Sequence, residues 1–321
     1  MTRAADTTRT IKPGWNAADL PDLNGRTAVV TGASSGTGYE IARQLAAHGA
    51  HVVLASRDAD RTGHAAGRIG AAAPGSSVEA QVLDLASMAS IRRFTSAFHR
   101  RHDGLDILVN NAGIAGGPRR ETVDGFEAHL GTNHLGHFAL TGLLLPALLA
   151  RDHARVVTMS SGLAAQARID FDDLQSRHKY RMTDAYGQSK LANLLFAVEL
   201  DRRARAAGVA LAGLATHPGV ARTNLFVGKR SDWGRTRRGA ETAVRLVQFL
   251  FAQPASKAAL PALYQAAAAG AHSQQYVGTK GHMRGYPAAG TMPPAALDPA
   301  TAQRLWRLSE ELTGVGYDRL G

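Results

Sequence analysis

The chain has 321 residues, 45% of them hydrophobic but only 6% aromatic, so a core of alanine, valine and leucine has to fill one large α/β domain or two small ones. It has no cysteine, which excludes disulfides, thiolate metal sites and cysteine nucleophiles. The net charge of +11 comes from 31 arginines and six lysines, and the arginines are scattered in pairs such as Arg92-Arg93 and Arg237-Arg238 rather than gathered along one element. A solvated basic surface is expected from that scatter, not a nucleic-acid groove.

Taken from the N-terminus, residues 1–24 are polar and lack the apolar core of a secretory signal. Residues 1–25 read as a tail that docks through Trp15 and Leu20. Short apolar runs then recur at 27–31, 51–56, 78–83, 107–110, 155–160 and 209–216. Helical stretches lie between them, the first reaching His48 and the second about Ile69. Runs apolar on both faces that alternate with helices predict a parallel sheet covered on both sides. Right-handed crossovers make it a doubly wound α/β sheet, with helices on both faces.

No stretch resembles a flexible linker, so residues 26–321 read as one domain. Two segments break the rhythm: 163–183, which is polar, and 224–239, which is basic and glycine-rich. A helix is expected over 240–251, a loop over 286–299 and a last helix over 300–312. The longest nearly apolar run, 138–150, falls short of the roughly 20 residues that cross a bilayer. These features lead to the expectation of a soluble cytoplasmic protein with no membrane partner. Nothing in the sequence fixes the subunit count, and a homo-oligomer is allowed.

After the first run stands Thr31-Gly-Ala-Ser-Ser-Gly-Thr-Gly38, a glycine turn that opens a helix. Gly32 permits the tight turn, while Gly36 and Gly38 let backbone approach a pyrophosphate and pack helix on strand. The loop set Gly32, Ser34, Ser35, Gly36, Thr37 and Gly38 therefore reads as phosphate-binding, helped by the positive end of the helix. The second run ends Ala55-Ser56-Arg57-Asp58. A carboxylate at that point would bind a ribose 2′-OH and an arginine a 2′-phosphate. Arg57 comes first, and its planar fork matches phosphate, so NADP(H) is favoured over NAD(H).

Strand C-termini form the ligand crevice of such a sheet. The fourth run ends Asn110-Asn111-Ala112-Gly113, small residues and amides suited to a flat cofactor. Asn133 sits early in a long helix, where it can anchor a water relay to Lys190. The fifth run ends in Ser160-Ser161, and a hydroxyl there can hold a carbonyl oxygen as charge develops on it. Tyr186 and Lys190 lie four apart on one helix face. An ordinary phenol has a pKa of about 10, so work near neutrality calls for a nearby cation to lower it. Lys190 is placed to do this and to hydrogen-bond a nicotinamide ribose.

Taken together in order, these motifs resemble the short-chain dehydrogenases/reductases, of the kind similar to retinol dehydrogenases. The resemblance is strong over residues 25–223 and loose beyond. It also rests on Asp84-Leu85 and on His217-Pro-Gly-Val220 with Thr223. It implies a carbonyl–alcohol oxidoreductase, with Tyr186 as proton donor or acceptor and Lys190 lowering its pKa. It further implies Ser161 on the substrate oxygen and Asn133 ordering the relay. Asp84 and Leu85 would meet the adenine, and Pro218, Gly219, Val220 and Thr223 the carboxamide end of the nicotinamide. Membrane-bound retinol dehydrogenases carry an N-terminal anchor that this sequence does not show, which weighs against a retinoid substrate.

Leu163, Phe171, Leu225, Phe226 and Trp233 are candidate apolar lining for a lipophilic aldehyde, ketone or alcohol. No metal site is expected. His129, His134 and His137 crowd one helix, but no carboxylate is placed to complete a set, and His99 and His102 read as solvated. The stripe Leu143, Leu144, Ala147 and Leu148 reads as core or subunit interface. Two other functions compete: a nucleotide-sensing binding protein of the same fold, and a nucleic-acid binder using the basic loop 229–238. The first would be expected to have lost Tyr186 or Lys190, and this chain keeps both.

Overall fold

The computed structural model describes residues 11–219, 253–273, 275–280 and 284–320. Helices are numbered below among those residues. The first five strands are β1 (Thr27–Thr31), β2 (His51–Ser56), β3 (Val78–Val82), β4 (Ile107–Asn110) and β5 (Ala154–Met159). Between and after them run α1 (Gly36–Ala47), α2 (Ala59–Ala72), α3 (Met88–His99), α4 (Gly136–Leu149) and α5 (Met182–Ala206). Then follow β6 (Leu211–Thr216), α6 (Leu260–Ala267), β7 (Tyr276–Thr279), β8 (Pro287–Gly290) and α7 (Pro299–Thr313).

Eight strands form one sheet in the order β3-β2-β1-β4-β5-β6-β7-β8. All neighbours are parallel except β7 and β8. The doubly wound sheet read from the sequence is therefore the architecture found. Strand order reverses between β1 and β4, and the crevice at that reversal lies at the strands' C-terminal ends.

The period of two along β1 decides the layering. Ala28 and Val30 pack with Ile41, Leu45 and Leu263, on the side of α1 and α6. Val29 packs with Phe94, Phe138 and Leu200, on the side of α3, α4 and α5. Trp15 and Leu20 are buried in the first layer, with Trp15 edge-on to Tyr264 at 5.2 Å, so the described part of the tail is docked as expected.

Helix α4 is buried nearly all round, because α7 and the C-terminus cover its outer side. Trp306 stacks on Phe196 at 5.7 Å, and the Tyr317 hydroxyl donates to the Phe138 carbonyl at 2.7 Å. The stripe of Leu144, Ala147 and Leu148 is thus intramolecular core, with Leu143 at its partly buried edge.

Two departures from the sequence reading have plain causes. The segment 286–299 holds β8 rather than only loop. Its Pro-Ala-Ala-Gly run has no apolar alternation, and it is a strand only because an edge position beside β7 tolerates proline at the strand start. β7 itself, four buried residues long, is too short to register as an apolar run. The expected helix at 240–251, the loop 224–239 and residues Leu225, Phe226 and Trp233 lie outside the described residues.

Candidate active site

The phosphate loop is shaped as its glycines require. Gly32 and Gly36 adopt φ of +68° and +59°, a left-handed region open to glycine. A Cβ on Gly38 would stand 2.5 Å from both the Asn111 side-chain amide and the Gly32 carbonyl, so a methyl group does not fit. Ser35 precedes α1 but its side chain makes no capping hydrogen bond. Asp58 and Ser87, by contrast, cap α2 and α3. The first-turn N–H groups of α1, including that of buried Thr37, are left for an external acceptor, which suits a pyrophosphate. Ser34 is tied to the end of β2 by a 3.2 Å bond from Ser56. Beyond it, Arg57 is exposed and makes no hydrogen bond or ion pair among the described residues.

Thr31, at the end of β1, is a hub that the sequence reading passed over. It is fully buried, and its hydroxyl lies 2.9 Å from the backbone nitrogens of Asn111 and Ala112 and from His137 Nε2. His137 Nδ1 is 2.9 Å from the Asn133 carbonyl, so that nitrogen carries the proton. Nε2 is then an acceptor, and the Thr31 hydroxyl donates to it while accepting from the two amides. Burial holds the His137 ring neutral, its pKa pushed down to about 4. One threonine thus fixes the turn 111–113 against both β1 and α4. The only prior signal was a polar residue closing an apolar run.

Asn133 lies in a π-helical turn, Leu130–Leu135, that leads into α4. Such wide turns gather at functional sites. Its Oδ1 accepts from the Ile114 amide at 2.8 Å, and its Nδ2 donates to the Ile114 carbonyl and to Ser189 Oγ, each at 3.0 Å. Oδ1 of Asn133 and Nζ of Lys190 both crowd Gly113, at 3.1 and 3.3 Å from where a Cβ would stand.

Helix α5 brings the other polar groups in. Ser160 is buried and donates to the Lys190 carbonyl at 2.8 Å, which pins β5 to α5. Ser161 is partly exposed and is hydrogen-bonded to the Tyr186 hydroxyl. The two serines therefore differ in placement, Ser160 buried against α5 and Ser161 paired with the Tyr186 hydroxyl. Lys190 is buried, donates to the Met159 carbonyl at 3.3 Å, and has no carboxylate partner among the described residues. Burial lowers its pKa to about 8.

Tyr186 departs from expectation. Its phenol is 3% exposed, and burial pushes its pKa up to about 12, the Ser161 hydrogen bond pulling the other way without winning. The lowering expected from Lys190 is absent: desolvation dominates, with the ammonium 5.9 Å from the ring centre.

Around the rim, the Asp84 carboxylate accepts the Ala86 amide at 3.0 Å, and Leu85 is buried with its carbonyl against Gly136. Pro218 is held by Gln253, which donates to its carbonyl at 2.8 Å, and Gly219 adopts φ of +65°. Val220 and Thr223 lie outside the described residues. Leu163 is 41% exposed, whereas Phe171 is tied down under Arg304, 4.0 Å above its ring.

The histidines need two corrections. A carboxylate does reach one of them: Glu127 pairs with His129 at 2.9 Å and also accepts the backbone amides of His129 and Leu130. The pair is buried, edge-on to Tyr186 at 6.0 Å. Burial alone would raise the Glu127 carboxyl, but these hydrogen bonds bring it below its usual range. His134 turns instead to Ser309 at 2.9 Å, so the three histidines have separate partners. His102 is not solvated, for it packs on Phe98 and reaches Glu79 at 3.2 Å.

The family model described as short chain dehydrogenase matches residues 26–233. Human retinol dehydrogenase 13 is 40% identical over 297 residues, covering 91% of this chain and 86% of its own length. Polyprenol dehydrogenase of Mus musculus is 38% identical over 312 residues, covering 96% and 90%. Among solved structures, one from Mycobacterium Paratuberculosis aligns with a TM-score of 0.78 at 42% identity, over 95% of this chain and 99% of that one. The RhlG/NADP active-site complex of Pseudomonas aeruginosa aligns with a TM-score of 0.61 at 27% identity, over 81% and 96%. The glycine cradle at α1, the crevice at the strand reversal and the buried polar cluster on α5 agree with these likenesses, and the chain belongs to the short-chain dehydrogenase family, as an oxidoreductase that interconverts alcohol and carbonyl with a nicotinamide cofactor.

Proposed function

We propose that the enzyme uses NADP(H) to interconvert a lipophilic carbonyl compound and its alcohol, with Tyr186 as the proton-transferring group. The observation that carries this reading is the convergence of Ser161, Tyr186, Lys190 and Asn133 around the Gly113 turn, beside an uncapped helix terminus.

The nicotinamide, when bound, supplies or accepts the hydride. The chain's own groups handle position and the proton. Ser161 donates a hydrogen bond to the substrate oxygen as negative charge grows there. Tyr186, which keeps its proton because its phenolate is penalised by burial, gives that proton to the same oxygen. Lys190 is a buried ammonium without a carboxylate partner among the described residues, and ribose hydroxyls would offer it acceptors. Asn133 braces the turn over which the ring would lie.

Three features support NADP(H). Arg57 presents at the end of β2 a guanidinium that is unengaged among the described residues. Asp58, the carboxylate that would otherwise select a ribose hydroxyl, is occupied in capping α2 through the Arg61 amide. Ser34 stands next to this position, held by Ser56. The names of the retinol and polyprenol relatives favour an apolar alcohol or aldehyde.

The test is an NADPH-oxidation screen over apolar aldehydes, ketones and quinones, run beside NADH and repeated with Tyr186→Phe. Turnover of the variant should fall by about 10²–10⁴-fold, the usual weight of a general acid. NADPH affinity should stay within about threefold. Turnover close to wild type in the variant would remove Tyr186 from the reaction.

A further inference from the structure

We propose that His51, Glu79 and His102 form a site for one divalent transition-metal ion of the zinc class, on the rim of the sheet away from the active site. The three residues come from different places in the chain: the first residue of β2, the second of β3, and the turn after α3. One ligand atom from each lies within 4.8 Å of the others. Glu79 Oε2 is 3.2 Å from His102 Nε2 and 3.7 Å from His51 Nε2. A tetrahedral ion with bonds of about 2.0–2.2 Å spaces its ligands roughly 3.4 Å apart. Two edges of the triangle are already close to that length, and the third, no longer than 4.8 Å, closes by side-chain rotation.

The surroundings prepare the ligands. His51 Nδ1 lies 2.6 Å from Ser77 Oγ, and the tautomer that donates there leaves the lone pair on Nε2. That Nε2 is buried and has no hydrogen-bond partner among the described residues, although it faces the carboxylate. A simple histidine–carboxylate bond does not account for it, because 3.7 Å is too long for one. The other carboxylate oxygen is already engaged. Glu79 Oε1 accepts from Gln81 at 2.8 Å and pairs with Arg101, and both contacts turn Oε2 toward the imidazoles. Arg101 is mostly exposed, so its charge is solvated and free to swing aside as a dication enters. The His102 ring is steadied against Phe98, 4.6 Å between centres.

Backbone bonds hold the three positions in place: the His51 amide to the Arg26 carbonyl at 2.8 Å, the His102 amide to Phe98 at 3.0 Å, and the β2–β3 ladder for Glu79. A bound ion would join the end of α3 to the outermost strand of the sheet. It lies at the N-terminal ends of the strands, whereas the catalytic cluster lies at their C-terminal ends. The ion would therefore act on stability and leave turnover alone.

The experiment is titration of the full-length protein with zinc chloride by calorimetry, with the cobalt(II) absorption spectrum and the thermal midpoint as further readouts. One equivalent should bind, raise the midpoint and give the intense visible bands of a four-coordinate cobalt site. His51→Gln, Glu79→Gln and His102→Gln should each weaken binding at least tenfold, and His99→Gln, an exposed neighbour, should not. Turnover should be the same in all four. If Glu79→Gln does not fold, the two histidine variants decide. Failure of wild type to bind one equivalent, or equal affinity in wild type and the histidine variants, overturns the site.

Discussion

The Lys190 ammonium stands 5.9 Å from the centre of the Tyr186 ring, one helical turn along α5, and both side chains are almost wholly withdrawn from water. Burial moves the two groups in opposite senses, the phenol up to about 12 and the ammonium down to about 8. Each is shifted toward its neutral form, as desolvation demands. The pair is held at a cost to stability, and that cost can be measured.

Lys190→Met should make the protein more stable near pH 7 while reducing turnover. The lysine's pKa falls from 10.5 to about 8 on folding, so the folded state binds its proton less tightly than the unfolded state. The burial penalty is fully present below pH 8, is relieved as pH rises from 8 to 10.5, and is gone above that. A shift of this size corresponds to about 3 kcal/mol at most. Thermal denaturation of both proteins from pH 6 to 10 should show a gap that narrows with rising pH. A variant less stable than wild type at pH 7 would contradict the account.

Thr31→Val keeps the shape of the side chain and removes the hub. It leaves the Ala112 amide and the His137 ring nitrogen unpaired, while the Asn111 amide keeps its 2.9 Å bond to the Val109 carbonyl. Each such group costs about 1–3 kcal/mol, so chemical denaturation should report a loss of about 2–5 kcal/mol. Thr31→Ser, which retains the hydroxyl, should recover more than half of it.

Gly38→Ala forces a methyl group against the Gly32 carbonyl and the Asn111 amide. Backbone lies on one side and a hydrogen-bonded amide on the other, so the loop must open. Overpacking of this kind costs about 1–3 kcal/mol. NADPH affinity, followed by fluorescence titration, should drop by more than tenfold. Unchanged affinity would mean that the loop does not carry the phosphates.

Arg57→Ala should separate the two cofactors. Loss of a charged fork on a phosphate removes about 1.5–3 kcal/mol, or roughly ten- to a hundredfold in affinity. NADPH binding should weaken by that factor and NADH binding hardly at all. Equal losses for both would assign Arg57 to a general electrostatic role.

Much of the site was legible before any tertiary structure. The glycine loop is written in residues with no alternative reading at their conformations: left-handed φ at Gly32 and Gly36, and no room for a methyl at Gly38. The one-turn spacing of Tyr186 and Lys190 puts both on one side of α5. The apolar runs marked six of the eight strands: the five inner ones are buried on both faces and so must be apolar, while β3, Val-Glu-Ala-Gln-Val at the sheet edge, fitted the series by its position. β7 escaped because it is only four residues long, and β8 because an edge strand is made by its neighbour, not by its own composition.

What only the folded chain decided were the contacts between residues far apart in sequence. Local spacing cannot show that Thr31 would reach both Asn111 and His137, nor that Glu79 would face two histidines, since each arrangement depends on how crossovers bring strands and helices together. It cannot show the sense of the Tyr186 shift either. Charge proximity is encoded by a spacing of four, but desolvation depends on everything packed around the ring, and here desolvation is the larger effect.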